Sequence, residues 1–187
     1  MIWVAGGNGM LGKHLCEKFS ALSIDYCSTD MDVDITDSHA VKKYLSDKEF
    51  KWIIICSAYN FVDLAEDEKD RAFAVNCYGL RNVTEILKNT GIKLIHFSTD
   101  YVFDGSKKEG YSEENEALPL SVYGRSKLAG EKEIISVYDK YFIFRISWLY
   151  GPKGKNFVQT MLNLFKEKDE LNVVNDQHGS PTYTGEL

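Results

Sequence analysis

The stretch IWVAGGNGMLG, residues 2–12, decides the fold. Its first residues, 2–5, form a short apolar run that predicts a buried strand. Three glycines then follow at intervals of three, and residues 10–20 repeat apolar side chains with helical spacing. A strand, a tight glycine turn and a helix in direct succession indicate an α/β protein that begins with a parallel strand and its crossover helix.

The glycine spacing matches the dinucleotide-binding fingerprint in the context that the fingerprint requires. Gly6 allows the tight turn, Gly9 lets the backbone approach a pyrophosphate, and Gly12 lets helix and strand pack closely. The helix N-terminus would face the phosphates. The alternative is a glycine-rich turn that binds nothing. The residues of this turn expected to contact a cofactor are Gly6, Asn8, Gly9, Met10, Leu11 and Gly12.

An acidic residue follows the second predicted strand, residues 24–28. Asp30 lies close to the spacing at which a carboxylate accepts hydrogen bonds from the adenosine ribose and repels a 2′-phosphate. No Arg or Lys follows before Lys42, so the sequence predicts NADH in preference to NADPH. The alternative is that Asp30 is a turn residue. Asp34 and Ile35 follow, and Ile35 could cover the adenine.

Strands and helices alternate along the rest of the chain. Buried strands are predicted at 52–56, 92–97 and 141–146 and a short one at 171–174, with long helical patterns at 72–88 and 157–165. This alternation predicts a doubly wound parallel sheet of the Rossmann type with right-handed crossovers. We expect residues 1–150 to form the NAD(P)-binding domain, and 151–187 to hold the last core elements and the beginning of an incomplete substrate-binding domain.

Polar and small residues follow the later strands, where an open parallel sheet binds its ligands. Ser57, Ala58 and Tyr59 come after the third strand and are expected to pass close to the cofactor. Asn76 lies on the apolar side of a predicted helix and is a further cofactor candidate. Thr99 follows the fourth strand, so its hydroxyl is expected to face the crevice.

The sequence SVYGRSK, residues 121–127, carries Tyr123 and Lys127 four residues apart. If Ser121 caps a helix, the two side chains share one face. A neighbouring cation favours phenolate, which predicts a lowered pKa for Tyr123 and proton transfer near neutral pH. Tyr44 and Lys48 have the same spacing but follow no hydroxyl-bearing strand end, so we interpret them as surface residues.

Composition narrows the classes of function. The 187 residues suffice for one domain with a full core, and a net charge of −6 argues against a nucleic-acid partner. No apolar run approaches the roughly 20 residues that span a bilayer, and no basic flank of a signal peptide precedes the first strand. The four cysteines form no CxxC, which favours reduced thiols in a cytoplasmic protein. The scattered histidines predict no metal site.

Four motifs together resemble the extended short-chain dehydrogenase/reductases, and among them the dTDP-4-dehydrorhamnose reductases: STDYVFDG (98–105), YGRSK (123–127), RISWLYG (145–151) and DQHGSPT (176–182). The resemblance implies reduction of the 4-keto group of dTDP-4-dehydro-6-deoxy-L-mannose to dTDP-L-rhamnose with NADH or NADPH, often with magnesium, in a homodimer. It makes Thr99, Tyr123 and Lys127 catalytic, with Tyr123 and Lys127 also at the cofactor. The implied substrate contacts are Asp100, Tyr101, Trp148 and Asn156.

Two departures separate the chain from relatives of the same superfamily. Asp100 is followed by Tyr101, whereas the 4,6-dehydratases carry Asp-Glu, and Trp148 stands in a loop where epimerases usually show Asn. Both favour simple reduction. Family members are also longer, so the resemblance implies a C-terminally shortened chain.

Two other functions stay open: a non-catalytic NAD(P)-binding subunit like the regulatory β subunit of methionine adenosyltransferase, and another nucleotide-sugar reductase or epimerase. Three basic residues could meet the substrate diphosphate or simply be solvated: Arg125, Lys153 and Lys155.

Overall fold

A computed structural model describes residues 1–187 and contains a five-stranded parallel sheet. The spatial order is β2-β1-β3-β4-β5, which confirms the doubly wound parallel sheet. The strands are β1 (Ile2–Ala5), β2 (Tyr26–Thr29), β3 (Trp52–Ile55), β4 (Lys93–Thr99) and β5 (Tyr141–Ile146). The order reverses beside β1, so the crevice for ligands opens there, beyond the carboxyl ends of β1 and β3.

Helices cover the two faces of the sheet unequally. They are α1 (Met10–Ala21), α2 (Ser38–Ser46), α3 (Lys69–Phe73), α4 (Gly79–Leu87), α5 (Val122–Val137) and α6 (Phe157–Glu167). On one face α2, α4 and α5 enclose the main core around Trp3, Ile53 and Leu94. On the other face α1 packs Leu11 and Leu15 against Ile54.

The second face stays open toward β5. Phe142 and Phe144 pair in register with residues of β4 on this face, yet they are 51% and 43% exposed. Helix α6 contributes no buried residue. No helix of the structure has the length and apolar character that a membrane span requires.

The predicted helix over 72–88 is interrupted. Residues 74–78 form one π-helical turn between α3 and α4, and the buried Asn76 lies within it. Such turns add a residue to the helix and recur at functional sites.

The prediction of a strand over 171–174 is wrong: that segment is irregular, and Val173 and Val174 are exposed. Instead β6 (Leu149–Tyr150) pairs in parallel with β7 (Thr182–Tyr183) in a separate two-stranded sheet. The expected domain boundary at residue 150 falls inside this small sheet. His14 on α1 hydrogen-bonds Thr184 (Nδ1 to Oγ1, 2.6 Å), which ties the small sheet to the first helix.

Candidate active site

The glycine turn after β1 leaves no room for side chains at Gly6, Gly7 and Gly12. Gly6 has φ +85°, and a Cβ there would lie 2.5 Å from the Ser57 amide nitrogen. A Cβ on Gly12 would overlap the carbonyl oxygen of Gly6. Gly9, by contrast, is exposed, with 3.4 Å from an added Cβ to that same carbonyl oxygen. The backbone of the turn is therefore exposed at Gly9, whereas at Gly6 and Gly12 it packs closely against neighbouring backbone.

Helix α1 begins directly at this turn without a capping side chain. The amides of Met10, Leu11 and Gly12 make no hydrogen bond within the chain. Free amides at a helix N-terminus, beside an exposed glycine backbone, match the needs of a pyrophosphate. The structure therefore fits the predicted dinucleotide phosphates at this position.

Asp30 lies next to the turn, at the end of β2. Its Oδ2 accepts a hydrogen bond from the Asn8 amide at 3.0 Å, and its own amide donates to Asp32. The carboxylate thus lies beside the turn that is expected to hold the phosphates. Its contact with ribose stays a prediction.

Ile35 occupies a different environment from the one expected. Its side chain is 3% exposed and packs against Gly79 of α4, so it belongs to the core rather than to an open adenine surface. Asn82 donates to the carbonyls of Ile35 and Thr36 and holds this loop, while Asp34 accepts from the Thr36 amide.

The loop after β3 is fixed by Asn76. Its side-chain oxygen accepts from the Tyr59 amide at 2.9 Å, and its nitrogen donates to the Tyr59 carbonyl and the Ser126 hydroxyl, both at 3.0 Å. The Tyr59 side chain itself is buried and donates to Glu68, whereas Ser57 and Ala58 are partly exposed. Asn76 therefore fixes the loop after β3, which lines the crevice, and connects that loop to α5.

Replacement of Asn76 by alanine is expected to lower the free energy of unfolding by about 1–3 kcal/mol, because buried partners would lose their hydrogen bonds. Urea denaturation measures the change. Asn76→Asp is the matched comparison: it keeps the acceptor oxygen and loses the donor. A change below about 0.5 kcal/mol for Asn76→Ala, the range of ordinary surface substitutions, would contradict the assigned role.

Helix α5 carries two of the three predicted catalytic residues and packs beside the end of β4, where the third lies. Ser121 caps the helix, as predicted, by accepting from the Gly124 amide at 3.0 Å. Tyr123 and Lys127 then lie on the buried side of the helix. Thr99 ends β4 and accepts from the Tyr101 amide at 3.2 Å, while the Tyr101 and Tyr123 rings meet edge to face with centroids 5.7 Å apart.

The pKa of Tyr123 departs from the prediction in sign. Burial raises it to about 12, the nearby Thr99 hydroxyl opposes the increase, and the charge of Asp100 adds to it. The Lys127 amine points elsewhere: it donates to the Phe97 carbonyl at 2.7 Å. Spacing alone predicted a cation at the phenol, but the helix directs the lysine toward β4. The phenol is therefore protonated throughout the neutral range.

The second Tyr-x-x-x-Lys pair is structural. Tyr44 packs against the main core and donates its hydroxyl to the Cys27 sulfur at 3.0 Å. Lys48 lies over the Tyr44 ring, with its amine 4.1 Å from the centroid. The Tyr44 hydroxyl is thus hydrogen-bonded to a thiol of β2, the edge strand of the sheet that lies farthest from β5 and three strands away from β4.

The expected substrate residues lie in unequal settings. Asp100 is partly buried, and desolvation raises its pKa, while Tyr101 is exposed beside it. Trp148 is 46% exposed with φ +46°, and Gly179 packs against its ring. Asn156 caps α6 by accepting from the Gln159 amide, so its side-chain oxygen is already used in the fold.

Two of the three basic candidates are engaged elsewhere. Arg125 donates to the Leu120 carbonyl at 2.8 Å, and Lys153 forms an ion pair with Glu17 at 2.8 Å. Lys155 is exposed. These contacts favour the interpretation of solvated surface cations over a preformed diphosphate site.

Sequence reasoning missed a buried charge cluster beneath the site. Glu131 is 1% exposed and forms a two-bond ion pair with Arg145, whose Nη2 lies 2.6 Å from Oε2. The signal was present, since Glu131 follows Lys127 by four residues and so shares its helix face. No group of three His, Cys, Asp or Glu side chains could hold a metal. Magnesium, the homodimer and the cytoplasmic location stay predictions.

Known proteins resemble this chain over almost its whole length. The family model described as the RmlD substrate binding domain matches residues 1–187. The dTDP-4-dehydrorhamnose reductase of Aggregatibacter actinomycetemcomitans is 38% identical over 98% of this chain and 63% of its own length. A dTDP-4-keto-6-deoxy-D-glucose reductase of Streptomyces niveus is 36% identical, with 98% and 65% covered.

A solved structure extends the likeness to three dimensions. The dTDP-4-dehydrorhamnose reductase of Bacillus anthracis, in complex with NADP, superposes with a TM-score of 0.95 at 44% identity, covering 98% of this chain and 66% of that one. The chain thus spans slightly less than two thirds of the length of these relatives. The chain belongs to the RmlD substrate binding domain family, which it shares with the dTDP-4-dehydrorhamnose reductases.

Proposed function

We propose that this chain carries the cofactor site and the proton-transfer residues of an NAD(P)H-dependent reductase. Its substrate would be dTDP-4-dehydro-6-deoxy-L-mannose, and its product dTDP-L-rhamnose. The observation that carries the proposal is the position of Thr99, at the carboxyl end of β4, beside Tyr123 on α5. Three relatives with reductase names support it.

Each residue has a role that its setting supports. A reduced nicotinamide, when bound, supplies a hydride for the sugar C4 carbonyl. The neutral Tyr123 phenol donates the proton to the oxygen that becomes a hydroxyl, and Thr99 donates a hydrogen bond to the same oxygen. A pKa of about 12 keeps that proton in place until the more basic alkoxide develops. Lys127 is assigned to the nicotinamide ribose hydroxyls, a role that requires its amine to leave the Phe97 carbonyl when the cofactor binds.

The activity is tested by mixing the purified chain with NADPH or NADH and the dTDP-4-keto sugar, and following the loss of nicotinamide absorbance. Product with a 4-hydroxyl, identified by mass and NMR, supports the proposal. The name of the relative from Streptomyces niveus suggests a second substrate to test in the same assay, dTDP-4-keto-6-deoxy-D-glucose. Turnover of that sugar alone would reassign the substrate and retain the reductase chemistry.

Cofactor choice depends on Asp30. Its carboxylate predicts tighter binding of NADH than of NADPH, although the relative from Bacillus anthracis binds NADP. Titrations followed by nicotinamide fluorescence measure both affinities. Asp30→Asn removes the charge and is expected to shift the ratio toward NADPH by about tenfold, or roughly 1.4 kcal/mol. An unchanged ratio would show that Asp30 acts only through its hydrogen bond to Asn8.

One further candidate is an NAD(P)-binding subunit without turnover, which is favoured by the direction of the Lys127 amine, toward the Phe97 carbonyl and away from the Tyr123 phenol. Both functions require cofactor binding, and only one requires ketone reduction. Binding of NADPH without product from either sugar, together with co-purification of a larger catalytic partner, would select the subunit.

A further inference from the structure

The Lys127 amine lies completely inside the protein. Its side chain is 2% exposed, and the amine donates to the Phe97 carbonyl at 2.7 Å and lies 3.5 Å from Nε2 of His96. Both partners belong to β4. Neither is negatively charged, so these contacts orient the ammonium group without neutralising it.

Glu131 lies one helical turn after Lys127 on the same side of α5. Its carboxylate accepts from the Ser98 hydroxyl and from Arg145, with 3.0 Å between Nε and Oε1 and 2.6 Å between Nη2 and Oε2. Ser98 and Arg145 are register partners on β4 and β5. One buried carboxylate therefore joins the helix that bears Tyr123 and Lys127 to the strand that ends in Thr99.

The charges around Lys127 single out Glu131. Burial lowers the pKa of His96 and raises that of Cys56, so both are neutral at pH 7. His96 Nδ1 has no partner that could stabilise a second proton. Arg145 faces the same carboxylate from β5 and adds a positive charge. Glu131 is the anion in this surrounding.

We propose that Glu131 is a positioning residue for the reaction: its buried carboxylate keeps the Lys127 amine charged inside the core and holds α5 in register with β4. The inference rests on the proposed function for its catalytic consequence, whereas its electrostatic part concerns the protein without substrate. Without Glu131, the buried Lys127 and the partly buried Arg145 would lose the carboxylate that they share, and the lysine, unlike the arginine, can lose its proton.

The pKa of Lys127 agrees with this assignment. Burial lowers it to about 8, and the charge of Glu131 opposes the decrease. The lysine is therefore still mostly protonated at pH 7. Loss of the carboxylate charge would remove the opposing contribution and move the titration toward or below neutral pH.

The matched control lies two residues away on the same helix. Glu133 also pairs with an arginine through two bonds, with 2.8 Å between Arg81 Nε and its Oε2, but near the surface and beside Cys77. Glu131→Gln and Glu133→Gln thus each remove a glutamate carboxylate of α5 that pairs with an arginine of another element. Only the first change removes a charge from the surroundings of Lys127.

The experiment is a pH titration of the folded, substrate-free protein with 13C-labelled lysine. The Lys127 side-chain resonance is identified by its absence in Lys127→Arg. We expect a midpoint near pH 8 in the native chain and in Glu133→Gln, and a midpoint lower by about one pH unit or more in Glu131→Gln. An unshifted midpoint in Glu131→Gln overturns the proposal.

A second variant guards against loss of folding. Glu131→Gln combined with Arg145→Met removes both partners, so the partly buried arginine is not left without its carboxylate. Its midpoint is compared with that of Arg145→Met alone, because loss of the arginine charge by itself would raise the lysine pKa. A lower midpoint in the double variant than in Arg145→Met is expected, and equal midpoints would refute the role of Glu131. This readout needs no turnover, so it is independent of the proposed reductase activity.

The functional arm uses NADPH affinity as a function of pH. NADPH affinity is expected to fall as the pH rises and Lys127 loses its proton. In Glu131→Gln this fall is expected at a lower pH than in Glu133→Gln, and the pH difference should equal the difference between the two lysine midpoints. A uniform loss of affinity at every pH, with the lysine midpoint unmoved, would reveal a purely structural role and overturn the proposal.

Discussion

Replacing Tyr123 with phenylalanine is expected to reduce turnover by about 10²–10⁴-fold while leaving NADPH affinity nearly unchanged. The substitution removes the one proton that the site can deliver to the developing oxygen. The ring stays, so its packing against Tyr101 and the core is kept. Steady-state kinetics at saturating sugar, with a parallel fluorescence titration of NADPH, separate the two quantities.

Tyr44→Phe is the matched control for this substitution. The hydroxyl that it removes is hydrogen-bonded to Cys27, and the residue has the same Tyr-x-x-x-Lys spacing. Its turnover is expected to equal that of the native chain. If Tyr123→Phe retained native turnover at saturating substrate, the proton would have to come from another group.

Gly12→Ala is expected to be the most damaging change in the glycine turn. Its Cβ would overlap the Gly6 carbonyl oxygen, and both atoms are held by backbone. Forcing them apart displaces α1 from β1, at a cost of about 1–3 kcal/mol or more in the free energy of unfolding. The same displacement removes the helix N-terminus from the phosphate site. Thermal unfolding and NADPH titration are both expected to show the loss.

Gly9→Ala separates the two causes. An added Cβ at Gly9 has 3.4 Å to the nearest atom, so the fold accepts it. The methyl group would instead project toward the surface where the phosphates are expected. We predict near-native thermal stability with NADPH affinity reduced at least tenfold. Native affinity in Gly9→Ala would contradict the position assigned to the pyrophosphate.

The regular part of the fold was predictable because its signals are local. The apolar run of β1, the helical spacing of α1 and the Ser121 cap each lie within a few residues of the element that they determine. The doubly wound parallel sheet follows from the alternation of elements and the right-handed crossover, whereas the strand order β2-β1-β3-β4-β5 had to be observed.

The irregular part depends on partners far along the chain. The segment 171–174 has the composition of a strand but finds no sheet edge, whereas β7 finds β6 across more than thirty residues. Intrinsic β-propensity does not decide which of these segments forms a strand, because the stabilisation comes from pairing with a neighbouring strand that only one of them can reach. The π-helical turn around Asn76 likewise reflects bonds to Tyr59 and Ser126, not its own sequence.

The site shows the same division. Motifs were enough to propose Thr99, Tyr123 and Lys127 as site residues, but not to predict the direction of the Lys127 amine or the pKa of Tyr123. Both depend on burial and on which neighbour each side chain meets. The sequence shows only that Glu131 follows Lys127 by four residues. Its role as a buried carboxylate depends on Arg145 and Ser98, which surround it in the structure.

The hydrogen bond between His14 and Thr184 joins two residues that are 170 positions apart. Closing so long a loop costs chain entropy before any contact is gained, and such contacts form slowly. The sheet formed by β1, β3 and β4 needs far shorter closures. We therefore expect the Rossmann core to assemble first and the β6–β7 sheet to join α1 last, which makes this junction the late step of folding and the first to open.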